Sequence, residues 1–429
     1  MNTENSISQW KNRFFLAMNI IMIGYMVIRL YLWLKRGLWY LKHTDSWGVT
    51  EFLVNYQGGY VRRGMLGEAL YYIHNAIPSV DPRWYIAGIC CFSFLAVTWY
   101  ICRKFQENNL CWWILPLNIC MLGAFDFIRK DYLCALLVII ILQTYNKTKS
   151  PWPRCLFVSL LMFFSLNIHE CIFFMCAPFL LLLYYNENDM PSPCRWLGII
   201  SIIMSMAIVC IHKGNNEIAH SIWNSWKTAY QEYNNAPPGT SIDAIGWETI
   251  DTVKMHLKVT YFTKSHVFMG WYSKPLIWCA ILFMLPNILY IKRPQNENKA
   301  SKNVTFLLQI IIVQFISLLP MFIALSCDAS RICFCWTISS LLIYFSFCKR
   351  STDNIWNPNY TKCIQQLQRI IFHRRSKLIA IFILFVICIS RAHTNAVDAF
   401  TNSVIGAYIV AIKTFITKLQ ALLEFCNIL

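Results

Sequence analysis

Charged side chains are scarce in this sequence. Asp, Glu, Lys and Arg make up 14% of its 429 residues against 57% hydrophobic ones, and the mean hydropathy is +0.44. A chain that faces water carries about 25% charged residues. The shortfall excludes an ordinary cytosolic enzyme and a secreted disulfide scaffold, because too little polar material is left to cover a wet surface. A Walker A motif is also missing, which argues against direct ATP hydrolysis. So is any zinc knuckle, helix-turn-helix or aromatic RNA-binding pattern, and the formal net charge of +17 therefore does not point to nucleic acid. The 19 cysteines contain no Cys-x-x-Cys unit. Most lie inside apolar runs (Cys90, Cys91, Cys134, Cys176, Cys210, Cys279), where a thiol packs as a small hydrophobe. Cys327, Cys333 and Cys335 have no neighbouring His, so no resident metal is expected from them.

What is present is a series of long apolar runs. The first, 14–34, is too long for the core of a signal peptide and ends without small residues at a cleavage site. It reads as a transmembrane helix that starts in the cytoplasm. Further runs fall near 84–102, 110–128, 132–146, 155–168, 171–185, 196–212, 275–291, 304–326, 332–348 and 377–390, and a last one, 403–423, either spans or lies in the interface. The stretch 155–185 is too long for one ordinary span and is expected to break at His169-Glu170. The expected architecture is an all-α polytopic membrane protein of 11–12 helices forming a single integral membrane domain over 1–429.

With the N-terminus inside, the inner segments carry 19 Lys and Arg against six acids, as the positive-inside rule asks of short loops. The outer segments hold 14 of the 21 acids. Two outer loops are large, 35–83 and 213–274, and both are expected to carry interfacial helices. The basic inner loop 349–377 reads as an anchor for anionic lipid headgroups.

Five places hold the residue types that do chemistry. The first outer loop has Asp45, Glu51, the pair Gly58-Gly59, and Arg62-Arg63. The glycines allow a tight turn and a close backbone approach. Arginine forks suit phosphate oxygens. The spacing Met65-Leu66, Ala69-Leu70, Ile73 predicts a short helix lying on the membrane. The second place is Asp126-Phe127-Ile128-Arg129-Lys130-Asp131, two acids and two bases in a tight hairpin beside hydrocarbon, where charge is costly unless paired or used. The third is Asn167-Ile168-His169-Glu170, a His beside a carboxylate, suited to proton relay or to a charged substrate group. The fourth and fifth are Cys327-Asp328-Ala329-Ser330-Arg331 and Arg391-Ala392-His393 with Asp398, each readable as a loop that offers an arginine to phosphate. In the second large loop, Trp223, Trp226, Trp247, Asp243 and Glu248 combine rings with polar groups, a mixture suited equally to stacking a sugar and to lining a bilayer interface.

All five places fall on the outer side, whereas a transporter puts its polar residues near the bilayer midplane. This layout over residues 14–185 resembles the multi-span glycosyltransferases of the GT-C class, in which a carboxylate follows the first span and a second acid lies in the next outer loop. Asp45, and Asp126 or Asp131, stand at those positions, and His169-Glu170 followed by Pro178 looks like the His-Glu motifs of some members. The adjacent Asp-Glu pair of that class is absent, since Asp45 and Glu51 are six apart. The resemblance implies a donor sugar on polyprenyl phosphate, a glycan or lipid-linked acceptor, and contact with membrane lipids but not with nucleic acid. It implies Asp45 as base for the acceptor hydroxyl, Asp131, Glu170 and His169 as its orienting or relay partners, and Arg62, Arg63, Arg129, Lys130, Asp126, Gly58, Gly59 and Arg331 as the substrate-binding set. A divalent metal is compatible with these acids, but no ligand spacing demands one and no cofactor is expected. The expected location is a bacterial inner membrane, in cell-envelope glycan assembly. The chain also resembles the O-antigen polymerase group, for which Arg62, Arg63, His169 and Arg331 would matter more than Asp45. A flippase or transporter of lipid-linked sugars is the alternative outside enzymes.

Overall fold

The structure is a computed structural model and describes residues 46–107, 128–187, 189–229, 239–257, 297–325, 329–348 and 356–371, with isolated helical positions in 20–42 and near 412–416. Every regular element among them is helical. In chain order they are α1 (Trp47–Leu53), α2 (Gly64–Ala76), α3 (Pro82–Glu107), α4 (Asp131–Lys147), α5 (Pro151–Ile168), α6 (Cys171–Asn186), α7 (Ser192–Ile211) and α8 (Asn216–Ser225). After a short 3-10 turn (Asp243–Ile245) come α9 (Thr249–Leu257), α10 (Glu297–Pro320) with a π-turn (Met321–Leu325), α11 (Ala329–Phe347) and α12 (Pro358–Ile371).

Among the described residues, four helical stretches are long and apolar enough to cross a membrane: 82–104, 151–168, 192–211 and 302–325. The helices 171–186 and 331–347 are apolar but shorter. The expected runs 110–128, 275–291 and 377–390, and most of 14–34 and 403–423, lie outside the described residues. The described helices leave large apolar side chains facing outward, among them Leu156, Phe157, Leu160 and Phe164 on α5 and Trp196, Leu197, Ile200 and Ile203 on α7. Such flanks suit lipid rather than water.

The expected break falls where the sequence placed it. α5 ends at Ile168, His169 is extended (φ −164°, ψ 125°), and α6 starts at Cys171. Pro178 sits inside α6 and removes the N–H that would bond the Phe174 carbonyl. α10 supplies the replacement: Ser317 Oγ donates to Phe174 O at 2.6 Å, and Gln314 Nε2 donates to Met175 O at 3.1 Å. A neighbouring helix thus satisfies the freed backbone groups, as it must where water is excluded.

α4 and α6 lie at the centre. α4 packs on α3, α5, α6 and α11, and α6 packs also on α7 and α10. Their side chains build the larger core, with Tyr132, Val138, Leu142, Ile172, Met175, Phe179 and Leu180 all buried. A second, smaller core caps one end of this bundle. It is made by α1, α2, α8, the 3-10 turn and the first turns of α3, through Val49, Phe52, Leu70, Ile86, Ile222, Trp223, Trp226 and Ile245. Trp226 Nε1 donates to Leu53 O at 2.8 Å, and Arg62 N donates to His212 O at 2.8 Å, which ties the cap to the end of α7. The stretches 46–83, 213–229 and 239–246 therefore join in one layer over the bundle.

A helix does stand where the spacing predicts one, as α2, but with a different face inward. Gly64, Gly67, Leu70 and His74 are its buried positions, while Ala69, Tyr72 and Ile73 are exposed. Gly67 decides the inner face: a Cβ there would lie 1.9 Å from the Val54 carbonyl oxygen.

Candidate functional site

The charges gather at the seam between the two cores. Glu51 projects from α1, whose N-cap Ser46 accepts from Val49 N. Its carboxylate is fully buried, at 0% exposure. Oε1 accepts from His169 Nε2 at 3.1 Å and from Arg331 Nη2 at 3.3 Å, and lies 4.0 Å from Arg63 Nη1. Burial opposes ionisation of Glu51, but Arg331, the His169 hydrogen bond and Arg129 outweigh it and hold its pKa well below the usual range. Oε2 is buried and has no hydrogen-bond partner among the described residues.

Arg63 comes from the turn before α2 and sits in the left-handed region at φ 65°. A non-glycine residue in that region is uncommon and costs of order 1 kcal/mol. What the conformation delivers is a two-pronged ion pair: Arg63 Nε donates to Glu170 Oε2 at 2.7 Å and Nη2 donates to Oε1. Burial disfavours the Glu170 carboxylate, yet Arg63, His169 and Arg62 keep its pKa well below the usual range. Arg331, in the first turn of α11, pairs with Asp131, the first residue of α4. Lys130 is fully buried; its ammonium donates to Ile168 O at 3.3 Å and Arg63 O at 3.5 Å and lies over the Phe52 ring. Burial pulls its pKa down to about 8.

Three acids (Glu51, Asp131, Glu170) thus face three bases (Arg63, Lys130, Arg331). Two further arginines act on the same cluster. Arg62 interacts with Glu170, and burial lowers its pKa against that attraction; its Nε is buried without a hydrogen-bond partner among the described residues. Arg129 is half-buried and adds its field at Glu51. Both add positive field to the cluster, which suits an anion.

The structure brings together Arg63, Lys130, Asp131, His169, Glu170 and Arg331, drawn from segments the sequence keeps far apart. Asp45, Asp126, Cys327, Asp328, Arg391, His393 and Asp398 lie outside the described residues. Three expectations change. Gly58 makes its close approach to protein: a Cβ would lie 2.8 Å from Ile218 O, so it seats the turn on α8. Gly59, at φ 116° with nothing within 4 Å of a Cβ position, is the glycine that the turn requires. Lys130 has no exposed surface with which to grip a ligand and instead holds two backbone segments together. In the second loop, Trp223 and Trp226 are buried packing residues, closed to a sugar face.

Glu51 is the residue that sequence reasoning undervalued. Its signal was a lone carboxylate inside the apolar run Trp47–Val54. A possible metal set also emerges that the spacing did not show: Cys134, His169 and Cys171 place their donor atoms within 4.8 Å of one another.

No protein-family model, curated protein or solved structure matches this chain. Fold and site define, among the described residues, a helical protein with four membrane-length apolar helices and a buried charge cluster under a small helical cap.

Proposed function

We propose that the chain is a membrane glycosyltransferase that takes a sugar from polyprenyl phosphate at the outer face of a bacterial inner membrane, for cell-envelope glycan assembly. In this reading the chain is polytopic with a cytoplasmic N-terminus, and the cap is built from the two large outer loops. The observation that carries the reading is the convergence of acids and arginines beneath a cap whose helix α2 exposes Tyr72, Ile73 and Ile77. Such a helix can lie against lipid and present a lipid-borne phosphate to the arginines beside it.

The step is a displacement at the sugar's anomeric carbon. The acceptor oxygen bonds to that carbon, its proton passes to a carboxylate, and the carbon–oxygen bond to phosphate breaks with its electron pair leaving on the phosphate. Asp45 is the proposed proton acceptor, six residues before Glu51. Arg62 and Arg129 add the positive field that stabilises the leaving phosphate, while Arg63 is held on Glu170. Asp131 and Glu170 keep Arg331 and Arg63 in place.

A second reading has its own support. Arg63, His169 and Arg331 meet in one cluster, as a polymerase of lipid-linked glycans resembling the O-antigen group would use them. One experiment separates the two. The lipid-linked glycan profile of the host is compared for deletion, Asp45→Asn and Arg62→Ala at equal protein level. Glycans one sugar short in all three support the transferase. Accumulated single repeat units, with Asp45→Asn silent, support the polymerase. An unchanged profile in all three removes both and leaves transport or a structural role.

A further inference from the structure

The end of the bundle opposite the cap carries a second polar layer, and hydrogen bonds fix which helix ends meet there. Tyr145 OH, near the end of α4, donates to Glu187 Oε2, just past α6. Arg154, in the first turn of α5, donates from Nη1 to Glu187 Oε1 at 2.7 Å. Arg195, in the first turn of α7, donates from Nη2 to Glu187 O at 2.9 Å. Gln143 Nε2 on α4 donates to Tyr100 OH on α3 at 2.9 Å and to Ser346 Oγ on α11 at 3.3 Å. One level therefore holds the ends of α3, α4, α6 and α11 and the starts of α5 and α7.

Around that level stand Trp99, Trp152, Tyr185 and Trp196, from α3, α5, α6 and α7, each more than half exposed. Toward the cap, the large exposed side chains of α3, α5 and α7 are instead of the kind of Phe92, Leu95, Leu160, Phe164, Ile200 and Ile203. Tryptophan and tyrosine collect where hydrocarbon gives way to water, because the ring is apolar and its N–H or O–H is not. A belt of them on four helices at one level marks such a boundary.

The charges at this level are unevenly matched. Glu107 is taken by Arg103 and Lys104, and Glu187 by Arg154. Lys147 and Lys149, just before α5, are exposed and make no ion pair among the described residues. Arg195 is half-buried; it spends Nη2 on the carbonyls of Glu187 and Met190, and its Nε has no hydrogen-bond partner among the described residues. Against these three bases stands Asp189, which is exposed. The two helix starts are neighbours: Cys155 Sγ donates to Cys194 O at 3.3 Å, and Ser159 Oγ meets Ser201 Oγ at 2.6 Å one turn on.

We propose that the adjoining starts of α5 and α7 bind the headgroup of an anionic phospholipid, its phosphate on Lys147, Lys149 and Arg195 and its glycerol region against Trp152 and Trp196. The lipid supplies the negative charge that these bases lack in the protein. Its acyl chains then run along the exposed apolar flanks of the same two helices. These are different residues from the basic loop 349–377, where the sequence alone placed the headgroup contact. The inference rests on the bundle being embedded in a bilayer, and is independent of the transferase reaction.

The test uses the full-length protein purified in detergent and native mass spectrometry. Dioleoyl phosphatidylglycerol and dioleoyl phosphatidylcholine, which share acyl chains and differ in headgroup charge, are added at equal concentration. Phosphatidylglycerol adducts should exceed phosphatidylcholine adducts by about fivefold or more, since one base near an anionic headgroup is worth about that factor. Lys147→Gln combined with Lys149→Gln should cut the preference by about fivefold or more, and both side chains are exposed, so the fold is kept. Lys227→Gln, at an exposed base on the cap, should leave it unchanged. Equal binding of the two lipids by the wild type overturns the proposal, as does a preference that the double variant keeps. A preference lost equally in Lys227→Gln overturns the location. Release of the chain from membranes by alkaline carbonate without detergent overturns the embedding on which the site depends, a failure read separately from headgroup preference.

Discussion

Glu51→Gln is the most informative single change. Glu51 is wholly buried and its Oε1 meets His169, Arg331 and Arg63 within 4.0 Å. The amide keeps the shape and one acceptor oxygen but removes the charge. Three buried or half-buried cations then face two carboxylates, and Arg331 loses its Glu51 partner while keeping Asp131. Leaving a buried charge without its counterion costs about 3–5 kcal/mol, against about 1 kcal/mol for an ordinary lost hydrogen bond. With an unfolding entropy of about 2.1 cal/mol/K per residue, that cost lowers the melting midpoint of a chain this long by about 3–6 °C. The assay is thermal unfolding of the purified protein in one detergent, run beside Arg331→Met and the double variant. Removing both partners restores the charge balance, so the double variant should be more stable than the two single losses predict by about 1–3 kcal/mol. A Glu51→Gln protein that melts within about 1 °C of wild type, with additive losses in the double variant, would refute the view that this carboxylate anchors the cluster.

Arg63→Lys replaces a fork by a single ammonium on Glu170 and should cost about 1–2 kcal/mol by the same assay, more than Arg62→Lys, and equal losses would argue against the two-pronged pair. Gly67→Ala puts a methyl 1.9 Å from the Val54 carbonyl oxygen, so α2 must move off α1; a loss of about 1–3 kcal/mol or more and new protease cleavage in 54–80 are expected, while Ala69→Ser on the exposed face should change neither. Lys130 gives a pH signature. Its folded pKa of about 8 lies below the ordinary 10.5, so between these values the unfolded chain holds a proton the folded chain has released. Stability must therefore rise with pH across that window, by at most about 3 kcal/mol from this group. The melting curve of Lys130→Met should lack that rise, and parallel pH profiles for the two proteins would refute the assignment.

The helical plan was readable because it rests on local pattern. The run 155–185 exceeds one span, and a polar pair at its middle gives the only inexpensive place to break it. The charged residues were readable as anomalies, since Lys130, Asp131, His169, Glu170 and Arg331 all interrupt apolar sequence. Their partners were not readable. Glu51 meets His169 across 118 positions and Arg331 across 280, and no spacing rule reaches that far. The same limit hid the approach of Cys134 to His169 and Cys171, whose donor atoms lie within 4.8 Å of one another. Trp223 and Trp226 misled for the opposite reason. A ring next to polar residues has the same composition whether it stacks a sugar or fills a cap, and only the Leu53 carbonyl beneath Trp226 separates the cases.

A cluster of this kind is a poor device for stability alone. Apolar side chains of similar volume commonly hold a seam as well as buried ion pairs or better, because the pairs must first be stripped of water. If the seam between cap and bundle existed only to be rigid, each of its polar atoms would have a partner, since an unsatisfied buried group costs about 1–3 kcal/mol. Glu51 Oε2 and Arg62 Nε have none among the described residues. The Arg62 donor, on a half-buried side chain, is what a bound anion completes, and the lipid-borne phosphate of the proposed reaction is such an anion.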